Sequence, residues 1–321
     1  MKDVRIIFMG TPEIAVESLK RLISENYQII AVVTTPDKPA GRGLKIKESD
    51  VKKYALANNL PVLQPENLDE EGFVNSIRDL SPDIIIVVAF RKIPDSIIDI
   101  PRLGAFNLHA SLLPQYRGAA PINWAIINGE TETGLTTFFL NNKIDTGKII
   151  LQKRVPILPQ YNASALYDVM KKTGSELTLE TVNTIIRADY QTFEQNKIKT
   201  EDDFLRKAPK IFKENCKINW HNDTRSIHNL IRGLSYIPGA YSELISPEGK
   251  NFLFKILQAE YSVNTEVQRP GSIETDNGKY IRIHASDGFI NIKELQLSGK
   301  KIMKTDEFLR GFNLDNHWIA V

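Results

Sequence analysis

The chain is nearly without cysteine. Cys216 is its only thiol, so neither an internal disulfide nor a cysteine-built zinc cage can form, and a reducing, cytoplasmic setting is expected. It also lacks an excess of either charge. Lys and Arg number 41 against 39 Asp and Glu, a net +2 over 321 residues; this excludes a histone-like coater of DNA but allows local basic patches. No apolar run approaches the ~20 residues that span a bilayer, so no membrane partner is expected. The opening run VRIIFMG is short and passes at once into the charged EIAVESLKRLI, so no secretory leader is expected either. His221, His228, His284 and His317 are scattered without HExxH or other ligand spacing, and no metal is expected. Ser111 lies in no GxSxG elbow, which argues against a serine hydrolase. There is no internal repeat and no low-complexity tract.

What is present is an ordinary globular composition, 42% hydrophobic and 25% charged. At ~150 residues per domain the length suggests two domains. Residues 4–9, 28–34, 83–90 and 104–110 are short, apolar runs that predict strands. Between the first two, Thr11 is predicted to cap a helix and Pro12 to occupy its first position. A further helix is predicted over 51–59. Strands alternating with helices predict a doubly wound α/β domain with a mostly parallel sheet. Its first turn holds Gly10 alone, without the GxGxxG of a dinucleotide site, and the Walker loop is missing too. Residues 164–189 predict a long helix broken near Gly174, and the polar, aperiodic 190–207 predicts a linker. Over 240–297 short alternating runs separated by Arg269-Pro270-Gly271 and Asp276-Asn277-Gly278 predict a smaller C-terminal β-barrel, OB-like in kind.

The chemistry concentrates in residues 104–126, GAFNLHASLLPQYRGAAPINWAI. Asn107 and His109 are two apart at a predicted strand end, so both project to one face while Leu108 turns inward. Ligands of open α/β sheets sit beyond the carboxyl ends of strands. Two readings stay open for this pair: a site, or a structural hydrogen-bonding pair. Asp145, in the loop IDTG after another apolar run, is a candidate third member, since a carboxylate beside an imidazole orients it and fixes its tautomer. It is equally able to form an Asx-turn ahead of Gly147.

The stretch FNLHASLLPQYRGAAPI, followed by IDTG, resembles the folate-dependent formyltransferases, and Asn107, His109 and Asp145 match their Asn–His–Asp set. IIFMGTPEIAVESL, the loop 34–55, APKIFKENCKINW, IRGLSYIPGAYS and ELQLSGKKIMKTDEFLRG extend the resemblance over nearly the whole chain, toward the branch that formylates methionine on initiator tRNA. The resemblance implies a catalytic domain over 1–189, a linker over 190–207 and a tRNA-binding barrel over 208–321. It implies 10-formyltetrahydrofolate as co-substrate and translation initiation in the cytoplasm as setting. It further implies that Ser111, Leu112, Leu113 and Pro114 bind the folate, with Phe90, Arg91, Ile93, Asn142 and Ile144 walling its pocket. The chain departs from the family at VVAFRKIPDSII, where a VVAYGxILP-type run is usual, and at Asn141-Asn142-Lys143-Ile144, where the approach to DTG is usually more acidic. The alternatives are a formyltransferase or formylfolate hydrolase with another substrate, and an RNA-binding protein on a relic formyltransferase fold.

Basic residues cluster in three places. Lys38, Arg42, Lys45, Lys47, Lys52 and Lys53 outnumber Glu48 and Asp50 on a loop where glycines flank Arg42; Arg206, Lys207, Lys210, Lys213 and Lys217 form a second group, and Lys300, Lys301 and Lys304 a third. Local patches on a nearly neutral chain suit a polyanion that is gripped and released. The expected tRNA contacts are therefore Arg42, Lys45, Lys47, Lys207, Lys210, Lys300 and Lys301, against the plainer reading of solvated surface charge.

Overall fold

The β-branched run Ile84–Val88 is buried at every residue, which only a strand covered on both faces achieves. In the computed structural model, which describes residues 2–40, 45–198, 204–264 and 268–321, it is the central strand of a seven-stranded sheet. Packing divides the chain into two units. The first comprises Met1–Gly118, Thr133–Pro156 and Tyr167–Lys207; the second comprises Ala119–Glu132, Ile157–Leu166 and Ala208–Val321.

In the first unit the spatial order of strands is Ile149–Pro156, Glu132–Phe139, Ala105–His109, Ile84–Val88, Lys2–Gly10, Tyr27–Val33 and Val62–Leu63. The neighbours from Ala105–His109 to Val62–Leu63 are parallel, and Glu132–Phe139 runs antiparallel to Ala105–His109. The chain first builds outward from Lys2–Gly10 and then returns to its other side, so strand order reverses there. That is the crevice where ligands of such sheets bind. Ile7, Met9, Ala31, Val33, Ile85, Val87 and Ala105 form one buried face under Val74, Ile77 and Ile97 of two short helices.

Two local expectations need correction. The first helix, Glu13–Ser24, is capped by Pro12 with no side-chain hydrogen bond, and the Thr11 hydroxyl is buried without a partner among the described residues. The long helix Ala163–Arg187 runs unbroken through Gly174. A side chain there would press on Leu108, whose Cδ2 would lie 3.0 Å from its Cβ, so close packing on the sheet accounts for this glycine.

The second unit is a nearly closed antiparallel barrel. Its strand path is Ile273–Thr275, Ile281–His284, Gly288–Leu297, Asn251–Val263, Ala240–Ile245 and Ile319–Ala320. A bridge between Ser272 and Ile319 joins the two ends. Gly271 makes that closure possible: its φ is +86°, and a Cβ there would sit 2.3 Å from the Ala320 carbonyl oxygen. The helix Thr224–Leu234, capped by Asp223 through the Ser226 N–H, lays Ile227, Ile231 and Leu234 into the barrel core. Among the described residues no helix is long and apolar enough to cross a membrane.

Candidate active site

Asn107 and His109 stand at the carboxyl end of Ala105–His109, with Leu108 buried between them. Asn107 lies opposite Val87 and Phe138, and His109 opposite Thr136. His109 Nε2 is 2.9 Å from the Tyr116 carbonyl oxygen. A carbonyl only accepts, so Nε2 carries the proton and the neutral ring's lone pair sits on Nδ1. Nδ1 is the atom that faces Asp145, 3.9 Å from Oδ2. The Asn107 Oδ1 is buried and has no hydrogen-bond partner among the described residues. An unpaired buried amide oxygen is costly, and a ligand that supplies a donor removes the cost.

Asp145 does not form the Asx-turn. Asn141 takes that part: its Oδ1 accepts from the Lys143 N–H at 3.0 Å and the Thr146 hydroxyl at 3.1 Å. The Asp145 carboxylate instead accepts the Gly118 N–H at 3.0 Å. Its backbone is left-handed, φ 53°, as are those of Tyr116 at 58° and Ala89 at 47°. Gly147 allows the loop to close, since a Cβ there would lie 1.6 Å from the Phe139 carbonyl oxygen.

Residues without an assigned role in the sequence reading complete this corner. Arg117 donates from Nε at 3.0 Å and from a terminal nitrogen at 2.6 Å to Gln195 Oε1. Burial lowers the Arg117 pKa, and the nearby Asp145 charge opposes that shift. Gln195 also donates to the carbonyls of Asp145 and Gly147. Buried Thr136 donates to the Ser111 carbonyl at 2.7 Å and accepts from the Leu113 N–H at 3.0 Å. Arg117 lay inside the motif already singled out. Thr136 and Gln195 offered no signal, since Gln195 belongs to a polar stretch without period.

The expected folate residues divide. The Ser111 hydroxyl is buried and donates to the Gln115 carbonyl at 2.6 Å. Leu113 and Pro114 are buried, and Leu112 is half-buried. Ile93 belongs to the sheet core. Arg91 donates to the carbonyls of Glu66 and Pro65 and lies over the Phe90 ring. Asn142 and Ile144 are exposed.

Lys47, Lys207, Lys210, Lys300 and Lys301 are exposed. Arg42 lies outside the described residues, and Lys45 is described in its backbone only. Lys52 is not a free surface charge. Its ammonium binds Asp37 and, at 3.0 Å, Glu48, which flank the short ribbon Lys38–Ala40 and Lys45–Lys47. Those contacts raise the Lys52 pKa and lower that of Asp37, which also accepts from Gln64 at 2.8 Å. Among the described residues no group of three or more His, Cys, Asp or Glu side chains is placed to hold a metal ion.

Known proteins match both units. The formyl transferase family model matches residues 4–182, and the model of the formyl transferase C-terminal domain matches residues 210–313. A protein of Bacteroides thetaiotaomicron named methionyl-tRNA formyltransferase is 51% identical over 315 residues, covering 98% of each chain. One of the same name from Bacteroides fragilis is 50% identical over 313 residues, 98% of this chain and 96% of its own. Among solved structures, the N-formyltransferase of Helicobacter canadensis, in complex with folinic acid and dTDP-3-aminofucose, matches with a TM-score of 0.64 at 25% identity, over 90% of this chain and 98% of its own. A sheet-end Asn and His facing a loop Asp, on a fold and a sequence shared this widely, place the chain in the formyl transferase family.

Proposed function

We propose that the chain transfers the formyl group of 10-formyltetrahydrofolate to the α-amino group of methionine carried on initiator tRNA. One observation chooses this substrate over an amino sugar: similarity to proteins named for methionyl-tRNA runs over 98% of both chains, the barrel unit included. The sheet-end site suits a formyl donor. Asn107, whose Oδ1 has no hydrogen-bond partner among the described residues, and the shielded His109 and Asp145 form a polar corner at the strand end.

In this reading the neutral amine adds to the formyl carbon, the new C–N bond forms, and the bond to the folate nitrogen breaks. Negative charge builds on the formyl oxygen as the amine adds. The Asn107 amide donates to that oxygen, and loss of one such donor typically costs about 10²–10³ in rate. The proton lost by the amine must reach the leaving nitrogen. His109 takes it at Nδ1, because Nε2 is already committed to the Tyr116 carbonyl. Asp145 faces that nitrogen and stabilises the ring while it is charged. The Ser111–Pro114 turn contributes shape to the folate pocket rather than its hydroxyl, with Phe90, Arg91, Ile93, Asn142 and Ile144 along its wall.

The first unit carries the chemistry and the second holds tRNA through Lys210, Lys300 and Lys301; Lys207, Lys47, Lys45 and Arg42 contribute from the first. The work is done in the cytoplasm, at translation initiation. Incubating the protein with 10-formyltetrahydrofolate and charged initiator tRNA should give formyl-methionine. Formylation of a nucleotide amino sugar in place of the charged tRNA would overturn the substrate, and release of formate alone would make the chain a hydrolase.

A further inference from the structure

Gln195 enters the catalytic corner from a stretch whose sequence reads as mere connection. An antiparallel bridge between Phe193 and Ile149, with N–H···O distances of 2.8 and 3.0 Å, lays residues 193–195 along the end of the Asp145 loop. Gln195 is 3% exposed, and all its polar capacity is directed inward. Nε2 donates to the Asp145 carbonyl at 3.0 Å and to the Gly147 carbonyl at 2.9 Å. Oε1 accepts both donors of Arg117. One carboxamide therefore ties the backbone on either side of Thr146 to the strand residue that precedes Gly118, and the Gly118 N–H in turn holds the Asp145 carboxylate.

We propose that Gln195 is a positioning residue for the reaction: it holds the left-handed turn at Asp145 so that the carboxylate faces His109 Nδ1. The proposal rests on the catalytic reading of Asn107, His109 and Asp145. The physical case is one of strain and distance. A non-glycine residue at φ 53° is strained and persists only where its surroundings impose it. The 3.9 Å separation of Asp145 from His109 lies at the edge of useful pairing, so a small relaxation of the turn breaks it. Only an amide does this work. Two carbonyls require donors while the guanidinium requires an acceptor, and no carboxylate or hydrocarbon meets both demands.

Two variants test this. Gln195→Met keeps the length and removes every hydrogen bond. Gln195→Glu keeps the acceptor for Arg117 and loses both donors. In each, kcat for formyl-methionyl-tRNA synthesis should fall roughly 10²-fold, the scale expected when a catalytic group is misplaced by about 1 Å, with KM for both substrates within about twofold. Amide exchange at Gly118, and over 141–149, should accelerate about tenfold as the turn loosens. Gln195→Glu carries a further signature. Beside the Arg117 guanidinium its carboxyl stays ionised and supplies no donor, so its kcat relative to the parent should stay low across the working pH range. A merely structural glutamine would lower the melting temperature and leave kcat per folded molecule unchanged in both variants, and that result overturns the proposal. Faster exchange with unchanged kcat overturns it as well. Exchange needs no turnover, so a parent protein that makes no formyl-methionine would sink the functional reading while exchange still decides whether Gln195 holds the turn.

Discussion

The two units differ in where they keep strained backbone and unpaired polar atoms. In the first, seven non-glycine residues among those described are left-handed; Tyr116 and Asp145 lie at the site, and Ala89 follows the strand Ile84–Val88. In the second, the one non-glycine residue of this kind among the described residues is Asn277, in an Asp-Asn-Gly turn that suits it. At the site the first unit ties these turns by hydrogen bonds: Gln195 donates to the Asp145 carbonyl, the Gly118 N–H to the Asp145 carboxylate, and His109 to the Tyr116 carbonyl. The second instead sets imidazoles against a largely apolar barrel: among the described residues both ring nitrogens of buried His284 lack hydrogen bonds, and half-buried His228 packs on the Tyr261 ring. Strain held by a polar network marks the region that positions reacting groups, whereas an apolar core with charges outside marks a platform.

The largest effect should come from breaking the first unit's network. Asn107→Ala, His109→Ala and Asp145→Ala are each expected to lower kcat about 10²–10³-fold in folded protein. Double variants should lose much less than the product, because the three act on one step. Steady-state formylation kinetics check this, and near-normal kcat in Asn107→Ala would remove the oxyanion role. A smaller, different effect is expected from the platform. Lys210→Gln, Lys300→Gln and Lys301→Gln together should weaken tRNA binding with kcat at saturation nearly kept. The slope of log affinity against log salt should flatten by about one for each phosphate no longer neutralised. A slope unchanged by all three would leave these lysines as solvated surface.

Lys52 offers a sharper contrast within the first unit, because it closes the root of a basic ribbon without facing outward itself. Lys52→Met should raise KM for tRNA several-fold and leave folate KM unchanged, which two-substrate kinetics would separate. The smallest effect concerns pH. Burial lowers the pKa of both His228 and His284; Glu274, with Oε2 3.6 Å from His284 Nε2, only partly opposes this for His284. As pH falls through ~6.5 the unfolded chain takes up these protons before the folded one, so stability declines with falling pH, by at most ~1.4 kcal/mol per pH unit for each imidazole. Trp124, Trp220 and Trp318 all belong to the second unit, so tryptophan fluorescence during thermal unfolding reports on it. The midpoint should drop between about pH 7 and 5.5, and His228→Phe with His284→Phe should flatten that drop.

Much of the architecture was legible because it is periodic or local. Continuous β-branched runs marked the buried parallel strands, and alternation with turn residues marked the barrel. The two-residue spacing of Asn107 and His109 placed both on one face before any fold was known. The reading of Gly174 as a break failed because helix continuity there depends on what packs against it, namely Leu108.

By itself, the sequence determined the class of both units, the strand end that places Asn107 and His109 together and the family to which the chain belongs, since each rests on short-range patterns. Only the tertiary structure decided which nitrogen of His109 faces Asp145, that Lys52 clasps Asp37 and Glu48, and that Gln195 bonds the backbone on either side of Thr146. The reason is separation along the chain. Gln195 bonds partners 50 and 78 residues away, and a hydrogen bond between such distant residues leaves no period or spacing in the sequence that joins them.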